Sequence, residues 1–330
     1  MIITRTPFRI SFVGGGSDLP DFYREYPGAV LSTSINKYMY ISSHQFFEDD
    51  KIRMKYSKTE TVTSLDEITH PIFKEVFTQF GINGGIELSS IADVPAGTGM
   101  GSSSSFTVGL LHNLYASRGI HISKERLAKE ACDIEINKLG EPIGKQDQYA
   151  AAYGGLNIIR FNTDESVSVE KLYLKQEVQK ELSENLIMFY TGSQRKANVI
   201  LAEQKKNTTS RDKKTVLIEM TKLVDDLKNS LVSNQLTDFG RLMHENWLLK
   251  KSLASKITNS AIDQAYDVAL HNGALGGKLL GAGGGGFLLF YCNKDNHSKL
   301  IEALKPLRQI NFNLENEGSK VIYFGDENII

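Results

Sequence analysis

Pro95-Ala96-Gly97-Thr98-Gly99-Met100-Gly101-Ser102-Ser103-Ser104-Ser105 is the stretch of this sequence that decides the fold. Three alternating glycines lead into four serines, and the serines open a segment with helical periodicity. Glycine lets a backbone approach an anion closely, and a helix N-terminus presents unpaired N–H groups with a partial positive charge. The stretch therefore predicts a bare loop that leads into a helix and holds a phosphate group.

Two common nucleotide-binding motifs do not account for this loop. A Walker loop requires Gly-x4-Gly-Lys followed by Ser or Thr, and no stretch of the chain supplies it. The dinucleotide-binding pattern needs a third glycine at position 102, where Ser102 stands. An ordinary loop with serine caps is the alternative, but the glycine run and the helix after it favour a phosphate loop of another kind.

Composition and charge describe an ordinary globular chain. The length of 330 residues is enough for two domains. The 38 basic and 39 acidic side chains nearly balance, which predicts neither a nucleic-acid partner nor a membrane partner. No long apolar segment follows Met1 or occurs elsewhere, so we expect a cytoplasmic protein. Cys132 and Cys292 stand in apolar patterns, which favours buried free thiols over a disulfide or a metal site.

Hydrophobic periodicity divides the chain into short strands and helices, and the proportion of charged helical segments rises after residue 185. Charged helices dominate from there on, so we expect a first domain over 1–185 and a second over 186–330. The predicted helices cover 66–80, 102–117, 123–139, 147–153, 194–206, 211–233, 235–256, 258–272 and 295–308. The predicted strands cover 2–13, 30–42, 84–90, 156–161, 167–174, 185–190, 287–291 and 321–324.

Two further glycine-rich turns accompany the phosphate loop. Gly14-Gly15-Gly16 ends the first predicted strand. The segment 281–286 has five glycines in six residues and contains Gly-x-Gly-x-x-Gly, but a strand follows it, which argues against a dinucleotide-binding turn. Because so many glycines cost chain entropy, we favour a loop that closes over a ligand over a flexible hairpin turn.

Two carboxylates between these turns are candidates for phosphoryl-transfer chemistry. Glu135 lies in a predicted helix, and Asp147 starts a short helix after Pro142 and Gly144. Phosphoryl transfer requires Mg²⁺ on the phosphates and a base or orienting group at the acceptor hydroxyl. Spacing alone leaves the roles open, because Glu135 also fits a solvated helix residue and Asp147 also fits a helix cap.

These segments resemble the three motifs of the GHMP kinases, the family of galactokinase, homoserine kinase, mevalonate kinase and phosphomevalonate kinase. The three matching stretches are Arg5-Thr6-Pro7-Phe8-Arg9-Ile10-Ser11-Phe12-Val13-Gly14-Gly15-Gly16-Ser17-Asp18, residues 95–105, and Lys278-Leu279-Leu280-Gly281-Ala282-Gly283-Gly284-Gly285-Gly286. Met100 and Ser104 depart mildly from the second motif. The resemblance covers the whole chain. It implies an α+β, two-domain GHMP kinase fold, with an N-terminal ribosomal protein S5 domain 2-like domain and a C-terminal ferredoxin-like domain.

The resemblance also implies a role for each matching motif residue. Ser103, with Ser102 as the alternative, would bind Mg²⁺ together with Glu135. Asp147 matches the catalytic aspartate, and Arg9 matches the basic residue beside it and the transferring phosphoryl group. The residues expected to contact ATP are Pro95, Gly97, Thr98, Gly99, Met100, Gly101, Ser102, Ser103 and Ser104.

Within the family, the stretches 12–20 and 190–197 are most similar to kinases of D-glycero-α-D-manno-heptose 7-phosphate. This similarity implies phosphorylation of the anomeric hydroxyl of a sugar phosphate, giving a 1,7-bisphosphate for GDP-heptose and surface polysaccharide synthesis. Galactokinases have Gly-Glu-His-Thr-Asp where this chain has Gly-Gly-Ser-Asp, so the sugar contacts there should differ. The residues expected to contact the sugar phosphate are Gly16, Ser17, Asp18, Lys145, Asp147, Arg195, Lys196, Gly283 and Gly284.

Two other functions stay open at this point. One is an ATP-dependent kinase of an unphosphorylated sugar, of the fucokinase or galactokinase type. The other is a sugar- and ATP-binding sensor without catalysis, which the presence of Ser103, Glu135 and Asp147 disfavours. The sequence also leaves the oligomeric state open between a monomer and a homodimer.

Overall fold

A computed structural model describes residues 1–192, 197–207 and 210–325, apart from the side chains of residues 197–199 and 205. The strands are β1 (Ile2–Val13), β2 (Gly28–Gln45), β3 (Ile52–Lys55), β4 (Thr59–Val62), β5 (Ile86–Ala92), β6 (Leu156–Phe161), β7 (Val167–Lys171), β8 (Leu186–Tyr190), β9 (Ala274–Leu279), β10 (Phe287–Cys292), β11 (Arg308–Ile310), β12 (Leu314–Glu315) and β13 (Lys320–Phe324). The helices are α1 (Pro20–Tyr23), α2 (Pro71–Phe80), α3 (Ser102–Ser117), α4 (Lys124–Cys132), α5 (Gln146–Tyr153), α6 (Gln176–Asn185), α7 (Ala197–Asn207), α8 (Arg211–Val232), α9 (Leu236–Lys251), α10 (Ser260–His271) and α11 (His297–Ala303).

The larger sheet is built around β1 and β2. β2 pairs antiparallel with β1, β5, β6 and β12, and β3 runs parallel to β5. Helices α3, α5, α8 and α9 all contact β1, and this strand is buried along nearly its whole length. The sheet therefore holds β1, and the glycine turn that follows it, in a fixed position.

The smaller sheet is antiparallel, with the strand order β11-β8-β10-β9. β9 and β10 form a hairpin, and the glycine-rich segment 281–286 is part of its connection. The segment predicted to close over a ligand is thus a hairpin loop whose ends are fixed by a buried sheet.

The C-terminal strands return to the larger sheet. β12 pairs with β2 and β13 pairs with β1, although both lie far beyond residue 185. The larger sheet is thus completed by residues 314–324, which the division at 185 and 186 assigns to the second domain. That division stays a prediction.

Helix α9 packs into both hydrophobic cores. Phe239 belongs to the core around the larger sheet, where its ring meets Phe12 of β1 edge-to-face with centroids 5.0 Å apart. Trp247, two turns later, belongs to the core around the smaller sheet. The last turn of α9 consequently lies where the two sheets approach each other.

Four of the elements that the sequence does not predict, β3, β4, α6 and β9, each have a physical reason. β9 contains Gly276 and Gly277, which weaken any strand pattern. An ideal Cβ on Gly276 would lie 1.9 Å from the carbonyl oxygen of Gly240 in α9, so close helix packing explains the glycine. The other three are β3 and β4, which are four residues each, and α6, which buries only two apolar side chains, Val178 and Leu182.

Two other expectations concern single features. Cys132 and Cys292 are buried free thiols, as predicted. Across the described residues, we find no helical segment with the length and apolar character that a membrane crossing needs.

Candidate active site

The three glycine-rich segments meet around a cavity of about 690 Å³. Its lining includes residues from β1, the turn 14–16, the phosphate loop, the start of α5 and the end of α9. Two of the loops touch directly, because an ideal Cβ on Gly281 would lie 2.3 Å from the Cα of Gly99. The segment 281–286 therefore packs on the phosphate loop and is not a free turn.

The phosphate loop has the bare backbone that its sequence predicts. Gly97, Gly99 and Gly101 have φ angles of 74°, 84° and 73°, a left-handed conformation that favours glycine. The hydroxyl of Thr98 donates to the carbonyl of Pro95 at 2.8 Å and closes the turn. The loop then enters α3, which places the N-terminus of this helix at the cavity.

No serine side chain caps α3, unlike in the ordinary capped loop that is the alternative interpretation of this sequence. Gly101 occupies the capping position, and no side chain makes a cap hydrogen bond there. Ser105 instead donates its hydroxyl to the carbonyl of Pro7 at 2.9 Å. The first backbone N–H groups of α3 consequently have no side-chain cap to compete with an anion.

Arg9 and Asp147 form the tightest ion pair at the cavity. Nε and Nη2 of Arg9 lie 2.7 and 2.6 Å from Oδ1 of Asp147, while Nη1 donates to the carbonyl of Gly99 at 2.7 Å. Arg9 is buried, and a quarter of the Asp147 side chain is exposed. The structure thus brings together the two residues that the resemblance proposes for catalysis, and fixes both to the phosphate loop.

Ser103 and Glu135 are also neighbours. The Ser103 hydroxyl donates to Oε1 of Glu135 at 2.7 Å, and Nε2 of Gln148 donates to Oε2 at 2.7 Å. Glu135 lies in a π-helical stretch, Asp133–Lys138, that extends α4. Burial raises the pKa of this carboxyl to about 7, against the opposite effect of its hydrogen bonds.

This pair fits Mg²⁺ bound to a nucleotide. Mg²⁺ takes oxygen ligands and is usually held by one or two carboxylates together with substrate phosphates. Among the described residues no cluster of three or more His, Cys, Asp or Glu side chains could form a complete protein cage. Ser103 and Glu135 supply a hydroxyl and a buried carboxylate next to the phosphate loop, which is the partial set that such a site needs.

The turn after β1 presents Asp18 to the cavity and keeps Ser17 out of it. Oδ1 of Asp18 accepts from the Gly16 amide at 2.9 Å, and Oδ2 accepts from Nε2 of Gln146 at 3.0 Å. Burial, and next the charge of Asp147, raise the pKa of Asp18. Ser17 is wholly buried, and its hydroxyl lies 2.8 Å from the carbonyl of Gly14, so it holds the turn together.

Other expected acceptor contacts lie elsewhere. Nζ of Lys145 donates to the Glu165 carbonyl at 3.0 Å and lies 4.6 Å from the Tyr23 ring centroid, in a separate pocket of about 210 Å³. Gly283 and Gly284 pack against Ile257, whereas Gly281 and Ala282 line the cavity. Arg195 and Lys196 are outside the described residues.

Sequence reasoning assigned no role to two buried lysines, Lys250 in α9 and Lys278 in β9. Nζ of Lys250 donates to the carbonyl of Gly281 at 2.6 Å, and Nζ of Lys278 donates to Oγ of Ser11 at 3.2 Å. Burial lowers the pKa of Lys250 to about 8, and it also lowers the pKa of Lys278 well below its ordinary value. Each lysine stands next to a pair of leucines in the sequence. A lysine beside such an apolar pair is the sequence signal that could have indicated its burial.

Two family models match this chain. The model described as GHMP kinases N terminal domain covers residues 67–155, and the model described as GHMP kinases C terminal covers residues 224–307. The chain belongs to the GHMP kinases. As a member of this family it is an enzyme, and the matched segments contain the phosphate loop, Glu135 and Asp147.

Known proteins resemble this GHMP kinase over most of its length. It is 29% identical to the D-glycero-alpha-D-manno-heptose 7-phosphate kinase of Campylobacter jejuni, over 92% of this chain and 93% of that protein. It is 26% identical to the bifunctional fucokinase/GDP-fucose pyrophosphorylase of Arabidopsis thaliana, over 92% of this chain and 30% of that protein.

Solved structures confirm the two-domain GHMP kinase fold. A D-glycero-D-manno-heptose 1-phosphate kinase from Bacteroides thetaiotaomicron superposes with a TM-score of 0.81 at 22% identity, over 99% of this chain and 100% of that chain. The galactokinase of Lactococcus lactis in complex with galactose has a TM-score of 0.77 at 17% identity, over 97% of this chain and 94% of that chain.

Proposed function

We propose that this carbohydrate kinase transfers the γ-phosphoryl group of ATP to the anomeric hydroxyl of D-glycero-α-D-manno-heptose 7-phosphate. The product is the 1,7-bisphosphate, a precursor for GDP-heptose and surface polysaccharide. The observation that carries the kinase chemistry is the ion pair between Arg9 and Asp147. Nη1 of Arg9 also donates to the carbonyl oxygen of Gly99 at 2.7 Å, which holds the pair against the phosphate loop. The similarity to the Campylobacter jejuni kinase along nearly the whole chain supports the choice of acceptor.

In the proposed reaction, Asp147 accepts the proton of the acceptor hydroxyl. The hydroxyl oxygen forms a bond to the γ-phosphorus, the bond from that phosphorus to the bridging oxygen breaks, and ADP leaves. Arg9 orients the Asp147 carboxylate through two N–H groups and places positive charge where negative charge spreads over the transferring group. One residue pair thus serves the proton and the phosphoryl group together.

The phosphate loop and the Ser103–Glu135 pair are the proposed binding site for Mg²⁺ and ATP. The open N–H groups at the start of α3 favour a phosphate oxygen. Ser103 and Glu135 would hold Mg²⁺, which neutralises phosphate charge when it is bound. The cavity of about 690 Å³ lies within the usual range for a small-molecule site, about 300–1,000 Å³.

A coupled assay of ADP release over a panel of sugars tests this function. The panel contains the heptose 7-phosphate, the same heptose without phosphate, L-fucose and D-galactose, each with Mg²⁺ and ATP. We expect the highest kcat/KM for the heptose 7-phosphate. Turnover of L-fucose alone would establish the second candidate, a kinase of an unphosphorylated sugar, which the 26% identity to the plant fucokinase favours.

A further inference from the structure

Gly15 lies next to a small space, which stays open because glycine has no side chain to fill it. Its φ angle lies outside the left-handed region, so the backbone does not require glycine at this position. The three atoms nearest to an ideal Cβ there are all polar: Nε2 of Gln146 at 3.8 Å, Nζ of Lys250 at 3.9 Å and Oγ of Ser11 at 3.9 Å. These distances are ordinary van der Waals contacts. Alanine would fit the protein by itself, and the absence of a side chain leaves room for a polar group of a ligand.

Two side chains at this space, Lys250 and Gln146, have hydrogen-bonding capacity that no other described residue uses. Within the described part of the chain, the Lys250 ammonium makes one hydrogen bond, to Gly281, which leaves two of its three N–H groups for another acceptor. Oε1 of Gln146 is buried and has no hydrogen-bond partner among the described residues. Lys250 and Gln146 both line the cavity, and both lie next to Gly15. A hydroxyl group, which donates and accepts at once, satisfies both.

The local charge also favours a hydroxyl over a phosphate. Arg9 and Lys250 supply two positive charges, and Asp18 and Asp147 supply two negative ones. Lys278 is fully buried, and its Nζ donates to Oγ of Ser11 at 3.2 Å. The charges of Arg9 and Lys250 are thus already balanced by two carboxylates, and a phosphate dianion has no proton to donate to the unpartnered Oε1 of Gln146, whereas a hydroxyl group has one.

We propose that Gly15, Gln146 and Lys250 form a subsite that binds a hydroxyl group of the sugar next to the hydroxyl that Asp147 activates. The subsite rests on the proposed function and specifies it. It binds the neutral polyol part of the acceptor, and the phosphate of a sugar-phosphate acceptor binds outside it. Lys250 is thereby a specificity-determining residue contributed by α9, a helix of the second half of the chain.

The first test is Gly15→Ala. The added methyl group fills the space without strain in the protein, so the Tm and the KM for ATP should stay at their wild-type values. The KM for the sugar should rise by about 10- to 100-fold, the loss expected when a hydroxyl can no longer reach a charged donor. An unchanged KM for the sugar would overturn the subsite. An equal rise in the KM for ATP would also overturn it, because it would indicate a distorted phosphate loop.

The second test is Lys250→Met, with Lys251→Met as its matched control. Lys251 is the next residue of α9, but its ammonium pairs with Asp263 at 3.2 Å and lies outside the cavity lining. Each variant is assayed with the heptose 7-phosphate and with the unphosphorylated heptose. We expect Lys250→Met to raise KM by the same factor for both sugars, and Lys251→Met to change neither. A loss confined to the phosphorylated sugar would show that Lys250 binds the phosphate, which contradicts the proposal.

The wild-type assay separates this proposal from the proposed function. If the wild-type enzyme turns over L-fucose or D-galactose instead of the heptose 7-phosphate, the choice of acceptor is wrong, and the same variants are measured with the sugar that is turned over. A raised KM for that sugar in Gly15→Ala would still support the hydroxyl subsite. If the wild-type enzyme turns over no sugar, both proposals are wrong.

Discussion

Arg9 connects two parts of the candidate site with one planar side chain. Its guanidinium donates to Asp147 on one side and to the carbonyl of Gly99 on the other. A lysine has a single nitrogen on a flexible stem and could not hold both groups in a fixed geometry. The position of the carboxylate relative to the phosphate loop is therefore fixed before any ligand arrives.

We expect Asp147→Asn to lower kcat for the sugar acceptor by about 100-fold or more, because an amide cannot take the proton of the attacking hydroxyl. The amide oxygen can still accept from Arg9, so the KM for ATP and the Tm should change little. Steady-state kinetics and thermal unfolding measure these quantities. The matched control is Asp133→Asn, an exposed carboxylate bonded to Asn137 at 2.9 Å. Wild-type turnover in Asp147→Asn would exclude Asp147 as the base.

The stability contribution of Lys250 should depend on pH. Its folded-state pKa of about 8 is below its ordinary value of 10.5, with Arg9, Asp18, Asp147 and Lys278 as the charged or titratable neighbours. Between these two pKa values the unfolded chain binds more protons than the folded chain, so the free energy of unfolding rises with pH. From pH 7 to pH 9 this rise amounts to about 1 kcal/mol.

Urea denaturation of the wild type and of Lys250→Met at pH 7 and pH 9 measures this contribution. We expect the variant to be at least as stable as the wild type at pH 7, because methionine carries no buried charge. The wild type should then gain on the variant by about 1 kcal/mol at pH 9. A stability difference that is the same at both pH values would show that Lys250 stays protonated in the folded protein up to pH 9, so that its pKa is not lowered.

At the scale of elements, the contact between the phosphate loop and the segment 281–286 determines which glycines are essential. Gly99 has a φ of 84°, and an ideal Cβ on it would lie 2.5 Å from the carbonyl oxygen of Leu280. Gly81 at the end of α2 has a φ of 60° but nothing within 4 Å of its ideal Cβ. The two glycines therefore share a left-handed backbone conformation, but only at Gly99 would an added Cβ clash with a neighbouring atom.

We expect Gly81→Ala to cost about 1 kcal/mol of stability, from the left-handed backbone alone, and to keep wild-type kinetics. Gly99→Ala should cost more and should raise the KM for ATP, because the two loops must separate to admit the methyl group. Thermal unfolding and ATP titrations of both variants check this difference. Equal effects of the two substitutions would mean that the contact between the loops does not matter for ATP.

The sequence predicts an element when its backbone conformation admits few residue types. It does not predict an element whose residues are explained by contacts with parts of the chain that are distant in sequence. The glycines at 97, 99 and 101 indicate a bare loop because their left-handed conformation favours glycine. β9 escapes detection because Gly276 is explained by the backbone of α9, a contact that no local pattern contains. The place of Lys250 at the candidate site is not predicted for the same reason, because only the folded chain brings the end of α9 to Gly281 and Gly15.

At the scale of the molecule, the chain forms two sheets that are not independent along the sequence, and the division at 185 and 186 stays a prediction. Residues 314–324 complete the larger sheet, and α9 packs into both cores. The change of composition after residue 185 cannot indicate this return, because β12 and β13 are short and half exposed. Their pairing with β1 and β2 depends on tertiary structure alone.

The return of β13 to β1 sets an order of events during synthesis on the ribosome. Chains emerge from the N-terminus at about 5–20 residues per second, so β1 leaves the exit tunnel long before its partner strand β13 has been translated. Until then one edge of β1, the strand that carries Arg9, stays without its native neighbour. The larger sheet can therefore be completed at this edge only after residues 320–324 have left the ribosome.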